Sequence, residues 1–279
     1  MKFKFLGTAA AEGLPGPFCA CKRCREAREE GGRSIRGRSQ ALINEELLID
    51  FPADTAYRAW LGNLDLVKVK HCLITHPHQD HLYPDEMAML QPGFSHPADD
   101  VPLTFYGTKE NLEPLRSPNL RAALESGRVV LQEITPFEPF VIGNYTVVAF
   151  PANHGTQNPV FYQISDGKVT MLYAHDTGIF FDETWAWMAE NKPQYDFVTL
   201  DCTGGAAPKE YYRNGHMSLG SCREVLDKLQ ELGCIKPNAR TFVNHFTHNT
   251  VGAHSVLCEQ AAELGFEVSY DNCELSIEG

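Results

Sequence analysis

The segment Leu73-Ile74-Thr75-His76-Pro77-His78-Gln79-Asp80-His81 constrains this chain more than any other. It follows a compact apolar run, His71–Thr75, that predicts a buried strand, and it closes on three histidines and an aspartate. Side chains at the end of such a strand project into a cleft from a firm support. Burying four groups of this kind without partners costs several kcal/mol, so they do not form a core motif. Imidazole and carboxylate together suit Zn, Mn or Fe. A catalytic ion takes about three protein ligands and keeps one position open. Four donors are too many for one such ion, and two adjacent ions sharing a bridging group fit the count better.

The rest of the chain reads as strands interspersed with helices. Strands are expected at Lys2–Leu6, Ala41–Ile43, Leu47–Asp50, Leu103–Tyr106, Val129–Gln132, Phe140–Ile142, Tyr145–Phe150, Val160–Ile164, Val169–Tyr173, Phe197–Leu200, Thr241–Asn244, Phe266–Val268 and Glu274–Ile277. Helical patterns cover Asp54–Leu61, Pro84–Leu90, Leu112–Ser126 in pieces, Trp185–Asn191, Leu219–Leu232 and Ala253–Leu264. Between Lys2–Leu6 and Ala41–Ile43 a Gly/Ala/Pro-rich loop runs into the cysteines. No repeat, low-complexity linker or charge block divides the chain. The pattern implies an α/β fold of two sheets between helical layers, in one domain spanning 1–279.

Nine cysteines cannot all pair, and Met1–Gly7 lacks the apolar run of an export signal, so reduced thiols in a cytoplasm are expected. Six cysteines are scattered among apolar residues and read as small core groups. The other three form Cys19-Ala20-Cys21-Lys22-Arg23-Cys24. Three thiolates on one loop can close around a soft ion but leave a tetrahedral zinc one ligand short. A distant histidine completes the site, or it is open, or the cluster is redox-active.

The pattern H-x-H-x-D-H resembles the signature of the metallo-β-lactamase superfamily, in its branch of dinuclear hydrolases. The other stations of that family are filled in order: Asn153-His154-Gly155 after a strand, His175-Asp176-Thr177 after another, and Asn244-His245 near the C-terminus. The strand ending Leu48-Ile49-Asp50 matches the family's framework. The resemblance implies an αββα sandwich and two active-site ions, Zn, Mn or Fe. His76, His78 and His154 would hold one ion, Asp80, His81 and His245 the other, with Asp176 bridging.

Phe5-Leu6-Gly7-Thr8-Ala9-Ala10-Ala11-Glu12-Gly13 followed by C-x-C-x-x-C narrows the resemblance to the phosphodiesterase of the carbon–phosphorus lyase pathway, among relatives of the tRNA 3′-processing nucleases. It implies a structural zinc on Cys19, Cys21, Cys24 and His248, in a loop at about 13–40. It also places His216, in Asn214-Gly215-His216-Met217, beside the dinuclear centre as a substrate contact or general acid. His216 and Asp80 are the expected catalytic residues. The chain departs from the family at Ala9 and Ala10, where relatives carry Gly or a hydroxyl residue, and it lacks a long basic arm for gripping RNA.

Other groups read more plainly. His175 precedes Asp176 on an extended segment and so points to the opposite face, as a packing residue or a support for a ligand. His71, His96 and His254 have no matching station. Asp201 reads either as the orienter of a metal-bound histidine or as a strand-end cap. Lys22, Arg23, Arg25, Arg28, Arg33, Arg36 and Arg38 outnumber Glu26, Glu29 and Glu30, which makes either an electropositive lip for phosphate or a solvated loop. The whole chain carries 24 Lys+Arg against 36 Asp+Glu, a net charge of −12, which opposes bulk binding of a long polyanion. No apolar stretch is long enough to span a membrane, and no G-x-G-x-x-G, phosphate-loop or G-x-S-x-G motif occurs.

The resemblance, with these features, implies a metal-dependent hydrolase of a small, possibly cyclic, phosphate ester, with a homodimer allowed by the fold. Two alternatives stand beside it: a lactone or thioester hydrolase with the same metals, and a quinone-cofactor biosynthesis protein with a carrier or oxygenase role. Proteins of the second kind tend to lose parts of the ligand set, and this chain keeps every ligand.

Overall fold

The computed structural model describes residues 1–97 and 101–279. In chain order the elements are β1 (Lys2–Gly7), α1 (Lys22–Glu30), β2 (Gln40–Ile43), β3 (Leu47–Ile49), α2 (Asp54–Trp60), β4 (His71–Leu73) and β5 (Leu103–Gly107). Then come α3 (Lys109–Leu112), α4 (Arg121–Glu125), β6 (Val129–Glu133), β7 (Phe140–Ile142), β8 (Tyr145–Pro151), β9 (Val160–Ser165) and β10 (Thr170–Ala174). The last third holds α5 (Asp182–Asn191), β11 (Tyr195–Asp201), α6 (Leu219–Glu231), β12 (Ile235–Asn244), α7 (His254–Ala262), β13 (Glu267–Val268) and β14 (Cys273–Ser276).

Alternation along the strands explains the layering. In β8, Val147 and Ala149 join one apolar cluster, while Val148 and Phe150 join another. In β3, Leu47 and Ile49 face the shared interior, and Leu48 faces the helical side. Both faces of both sheets are thus covered, which is why the strands read as continuous apolar runs. The strand orders are β14-β1-β2-β3-β4-β5-β6 and β13-β12-β11-β10-β9-β8-β7. Between the sheets Phe3 and Phe5 pack edge to face at 4.7 Å, and Phe3 meets Phe197 of the other sheet at 5.0 Å. α5, α6 and α7 cover the second sheet through Met188, Leu226 and Leu257. This is the expected αββα sandwich.

The topology sends many strand ends to one edge. β3 pairs parallel with β4, Ile49 opposite Leu73. β10, β11 and β12 are parallel, with Ala174 opposite Leu200 and Asp201 opposite Asn244. β8 runs in the same direction as β10, because each is antiparallel to β9.

Two local expectations are corrected. The cysteine stretch is not all loop: the Cys21 sulfur accepts the Cys24 N–H and caps α1, so a sulfur takes the place of the usual oxygen cap. Pro84–Leu90 forms 3₁₀ turns rather than an α-helix.

Candidate metal centre

The sequence-predicted ligands and the framework residue Asp50 all leave the shared strand edge. Asp50 follows β3, the His76–His81 segment follows β4, His154 follows β8, Asp176 follows β10, and His245 follows β12. Asp50, Asp176 and His245 all adopt the left-handed backbone region, with φ of 66°, 51° and 67°. The same turn three times bends the chain off its strand and aims the side chain into the cleft. Such backbone costs a non-glycine residue on the order of 1 kcal/mol and persists where the surroundings impose it.

The donors form two groups that share one oxygen. In the first, His78 Nδ1 lies 3.0 Å from His76 Nε2 and 3.2 Å from His154 Nε2. In the second, His81 Nε2 lies 3.3 Å from His245 Nε2 and 3.5 Å from Asp80 Oδ2. Asp176 Oδ2 stands between them, 3.2 Å from His76 and 2.8 Å from His81. Bonds of about 2.1 Å at the tetrahedral angle put neighbouring donors about 3.4 Å apart, so this spacing suits metal ions. Asp176 Oδ1 is buried with His216 Nδ1 beside it at 3.1 Å, so both oxygens of this carboxylate face imidazole donors, as a group shared between cations would. The residues fit two divalent ions.

Further groups hold these donors in place. Asp50 Oδ2 lies 2.6 Å from His81 Nδ1, and Asp50 also accepts from the Thr75 N–H at 2.8 Å. Asp201 Oδ2 lies 3.1 Å from His216 Nδ1 and 3.4 Å from His245 Nδ1, so the orienter reading of Asp201 agrees with the geometry. The Thr203 hydroxyl donates to Asp201 at 3.1 Å and lies 2.8 Å from His245 Nδ1. Thr203 carried no sequence signal, because a single threonine after a strand is indistinguishable from a turn residue. His216 Nδ1 is also 3.1 Å from Asp176 Oδ1, and the Ser218–Ser221 capping box starts α6 two residues later. His175 turns away as expected and bonds Thr199 at 2.8 Å.

Four carboxylates converge here, and the histidines respond. Burial opposes charge on His216, yet Asp201 and then Asp176 push its pKa up to about 11. Burial likewise opposes charge on His245, and Asp176 leads the carboxylates that raise it to about 9. His81 rises well above the usual range against burial, through Asp50, Asp80 and Asp176. Burial, then the charge on His81, lowers His76 to about 3. The site demands positive charge, which protons or metal ions can satisfy.

The structure also brings Cys19, Cys21, Cys24 and His248 together. His248 Nδ1 lies 3.6 Å from Cys19 Sγ and 3.7 Å from Cys21 Sγ. The Cys24 N–H and then His248 lower the Cys21 thiol to about 6, while burial raises Cys24 to about 11. All nine cysteines are free thiols.

The electropositive lip does not form as a unit. Arg36 is buried and donates to Thr8 and to the Ser269 carbonyl, at 2.8 and 2.6 Å. Arg38 pairs with Asp54 at 3.0 Å, and Arg28 bonds the carbonyls of Cys19 and Gly16 at 3.0 and 3.1 Å. These arginines brace the N-terminal segment because its turns leave carbonyls that no strand satisfies.

A family model described as a β-lactamase superfamily domain matches residues 50–246, the span from Asp50 to just past His245. The chain belongs to the metallo-β-lactamase superfamily. Among solved structures, Zn(2+)-bound PqqB from Methylobacterium extorquens matches with a TM-score of 0.77 at 19% identity, covering 99% of this chain and 100% of that one. A diphosphatase from the PhnP family gives 0.72 at 18%, covering 99% and 97%. Human tRNase Z, short form, gives 0.67 at 16%, covering 100% of both chains. No curated protein matches. At these identities the likenesses establish the superfamily fold over the whole chain. Among the described residues, no helix is long and apolar enough to cross a membrane.

Proposed function

We propose that this superfamily member is a dinuclear metal-dependent phosphodiesterase acting on a small phosphate ester. The observation that carries the reading is Asp176, whose Oδ2 lies within 3.9 Å of His76, His81, His154 and His245 and so belongs to both donor groups. His76, His78 and His154 would hold one ion, Asp80, His81 and His245 the other, and Cys19, Cys21, Cys24 and His248 a structural zinc. Bound there, the two active-site ions supply a hydroxide near neutral pH and neutralise charge on the attacked ester.

The chain's own residues do the rest. Asp50 and Asp201 fix the rings of His81 and His245, so the donors are aligned before substrate arrives. Asp201 and Asp176 hold Nδ1 of His216, which leaves Nε2 to give a proton to the departing oxygen. The net charge of −12 supports a small substrate over a long polyanion.

The test is hydrolysis of bis(p-nitrophenyl) phosphate with added Mn or Zn, run beside lactone and thioester substrates and after elemental analysis of protein purified without added metal. Phosphodiester turnover that collapses in an Asp80→Ala, His81→Ala double variant is the expected result. Undiminished turnover in that variant would sink the mechanism. Lactone or thioester opening without phosphodiester turnover would assign the same site to another bond.

A further inference from the structure

We infer that Glu12 is a positioning residue for the cysteine site, holding His248 so that its Nδ1 faces the thiolates. The inference rests on the proposal that zinc occupies this site. Zn–S and Zn–N bonds of about 2.3 and 2.1 Å at the tetrahedral angle separate sulfur from nitrogen by about 3.6 Å. The distances from His248 Nδ1 to Cys19 and Cys21 are 3.6 and 3.7 Å. With Nδ1 committed to the metal, Nε2 carries the ring's proton and points the other way. There it meets Glu12 Oε1 at 3.5 Å.

Glu12 is itself held. Its Oε1 accepts the hydroxyl of Thr247, the chain neighbour of His248. The backbone supports the same alignment: the Ala10 N–H donates to the Phe246 carbonyl at 2.9 Å, and the Phe246 N–H to the Thr8 carbonyl at 3.0 Å. Residues 8–12 therefore run beside 246–248. Gly13, with a φ of 70°, then turns the chain away towards the cysteines. Close to the same edge of the ring, a Cβ at Gly16 would stand 3.2 Å from Cys19 Cβ and 3.3 and 3.4 Å from His248 Cδ2 and Nε2. The Cδ2–Nε2 edge is thus crowded by Gly16, and Glu12 is the charged group that meets Nε2 there. A carboxylate at the free nitrogen of a metal-bound histidine fixes the tautomer, orients the ring and raises ligand basicity, and losing it typically costs about 10–100-fold in metal affinity.

The experiment uses full-length protein loaded with Co(II), whose thiolate charge-transfer absorption reports the cysteine site alone, because the other donors are oxygen and nitrogen. Release of Co(II) to excess chelator is followed in wild type, Glu12→Ala and Glu12→Gln. Glu12→Ala is expected to release cobalt about 10–100-fold faster, with a shifted charge-transfer band. Glu12→Gln keeps an acceptor for Thr247 and for Nε2 but loses the charge, and its release rate is expected to fall between the two. Equal release rates and unshifted bands in all three proteins would overturn the role of Glu12. Absence of a thiolate band in the wild type would instead overturn the zinc proposal beneath it. A merely structural role would lower the melting temperature of metal-free Glu12→Ala without changing the band.

Discussion

Asp50 shows how much a single carboxylate can decide. It is fully buried, lies 2.6 Å from His81 Nδ1, and accepts both the N–H and the hydroxyl of Thr75, the latter at 2.9 Å from Oδ1. It therefore fixes which nitrogen of His81 is free to face the cleft, while Thr75 prevents the carboxylate from swinging. Replacing it by Asn keeps the shape but offers an amide where an anion faced the ring. Asp50→Asn is expected to weaken ion binding in the cleft by about 10–100-fold, measured by competition with a chelating dye at constant pH. Unchanged affinity would mean that packing alone orients His81. The residue's role was half visible in the sequence, where Ile49-Asp50 stands out as an aspartate ending an apolar run. Its partner was not, because the pairing spans 31 positions and depends on β3 lying beside β4.

At the scale of elements, the legible part was whatever periodicity and ligand type encode. The strands were readable because two-sided burial makes them apolar throughout, and the His76–His81 cluster because so many imidazole and carboxylate groups do not belong in a core; His154, Asp176 and His245 were legible only through the family resemblance. Three things were hidden. The cap of α1 is a cysteine, which helix-start patterns do not contain. The left-handed turns at Asp50, Asp176 and His245 are imposed by tertiary contacts. The supports Thr203 and Glu12 are ordinary residues until the loops meet.

Gly178 marks one such meeting. Its N–H donates to the Asn153 carbonyl at 2.9 Å, and a Cβ there would lie 2.2 Å from the Arg213 carbonyl oxygen. Backbone cannot yield as a flexible side chain does, so Gly178→Ala would drive the segment bearing His216 away from those bearing Asp176 and His154. Misplacement by about 1 Å can cost about 100-fold in rate, whereas overpacking at one site costs about 1–3 kcal/mol of stability. The expected outcome is a fall of about 100-fold in kcat with the far-ultraviolet circular dichroism unchanged. A variant as active as wild type would show that these loops move independently.

Across the whole molecule, the segment bearing the cysteines is tied to the C-terminal helix layer through a buried cation, and this predicts how stability responds to acid. Arg36 Nη2 lies 2.7 Å from His254 Nδ1 at the start of α7, so the histidine must offer a lone pair there. Cys258 Sγ lies 3.3 Å from the other ring nitrogen, and Glu30 accepts the His254 N–H at 2.7 Å. Burial, then the charges of Arg36 and Arg33, lowers the His254 pKa to about 4, against the weaker pull of Glu30. An unfolded chain binds this proton at a pKa near 6.5, so between about 6.5 and 4 the unfolded state holds more protons than the folded one. The contribution of His254 to stability is therefore expected to fall as pH drops through that window and to stay constant above it. Thermal unfolding at pH 7.5 and pH 5, in metal-free protein so that ion release does not intrude, measures the difference. His254→Asn keeps an acceptor for Arg36 but cannot take up a proton, and it is expected to shrink the gap in melting temperature between the two pH values. An unchanged gap would place the acid sensitivity elsewhere and leave His254 as packing alone.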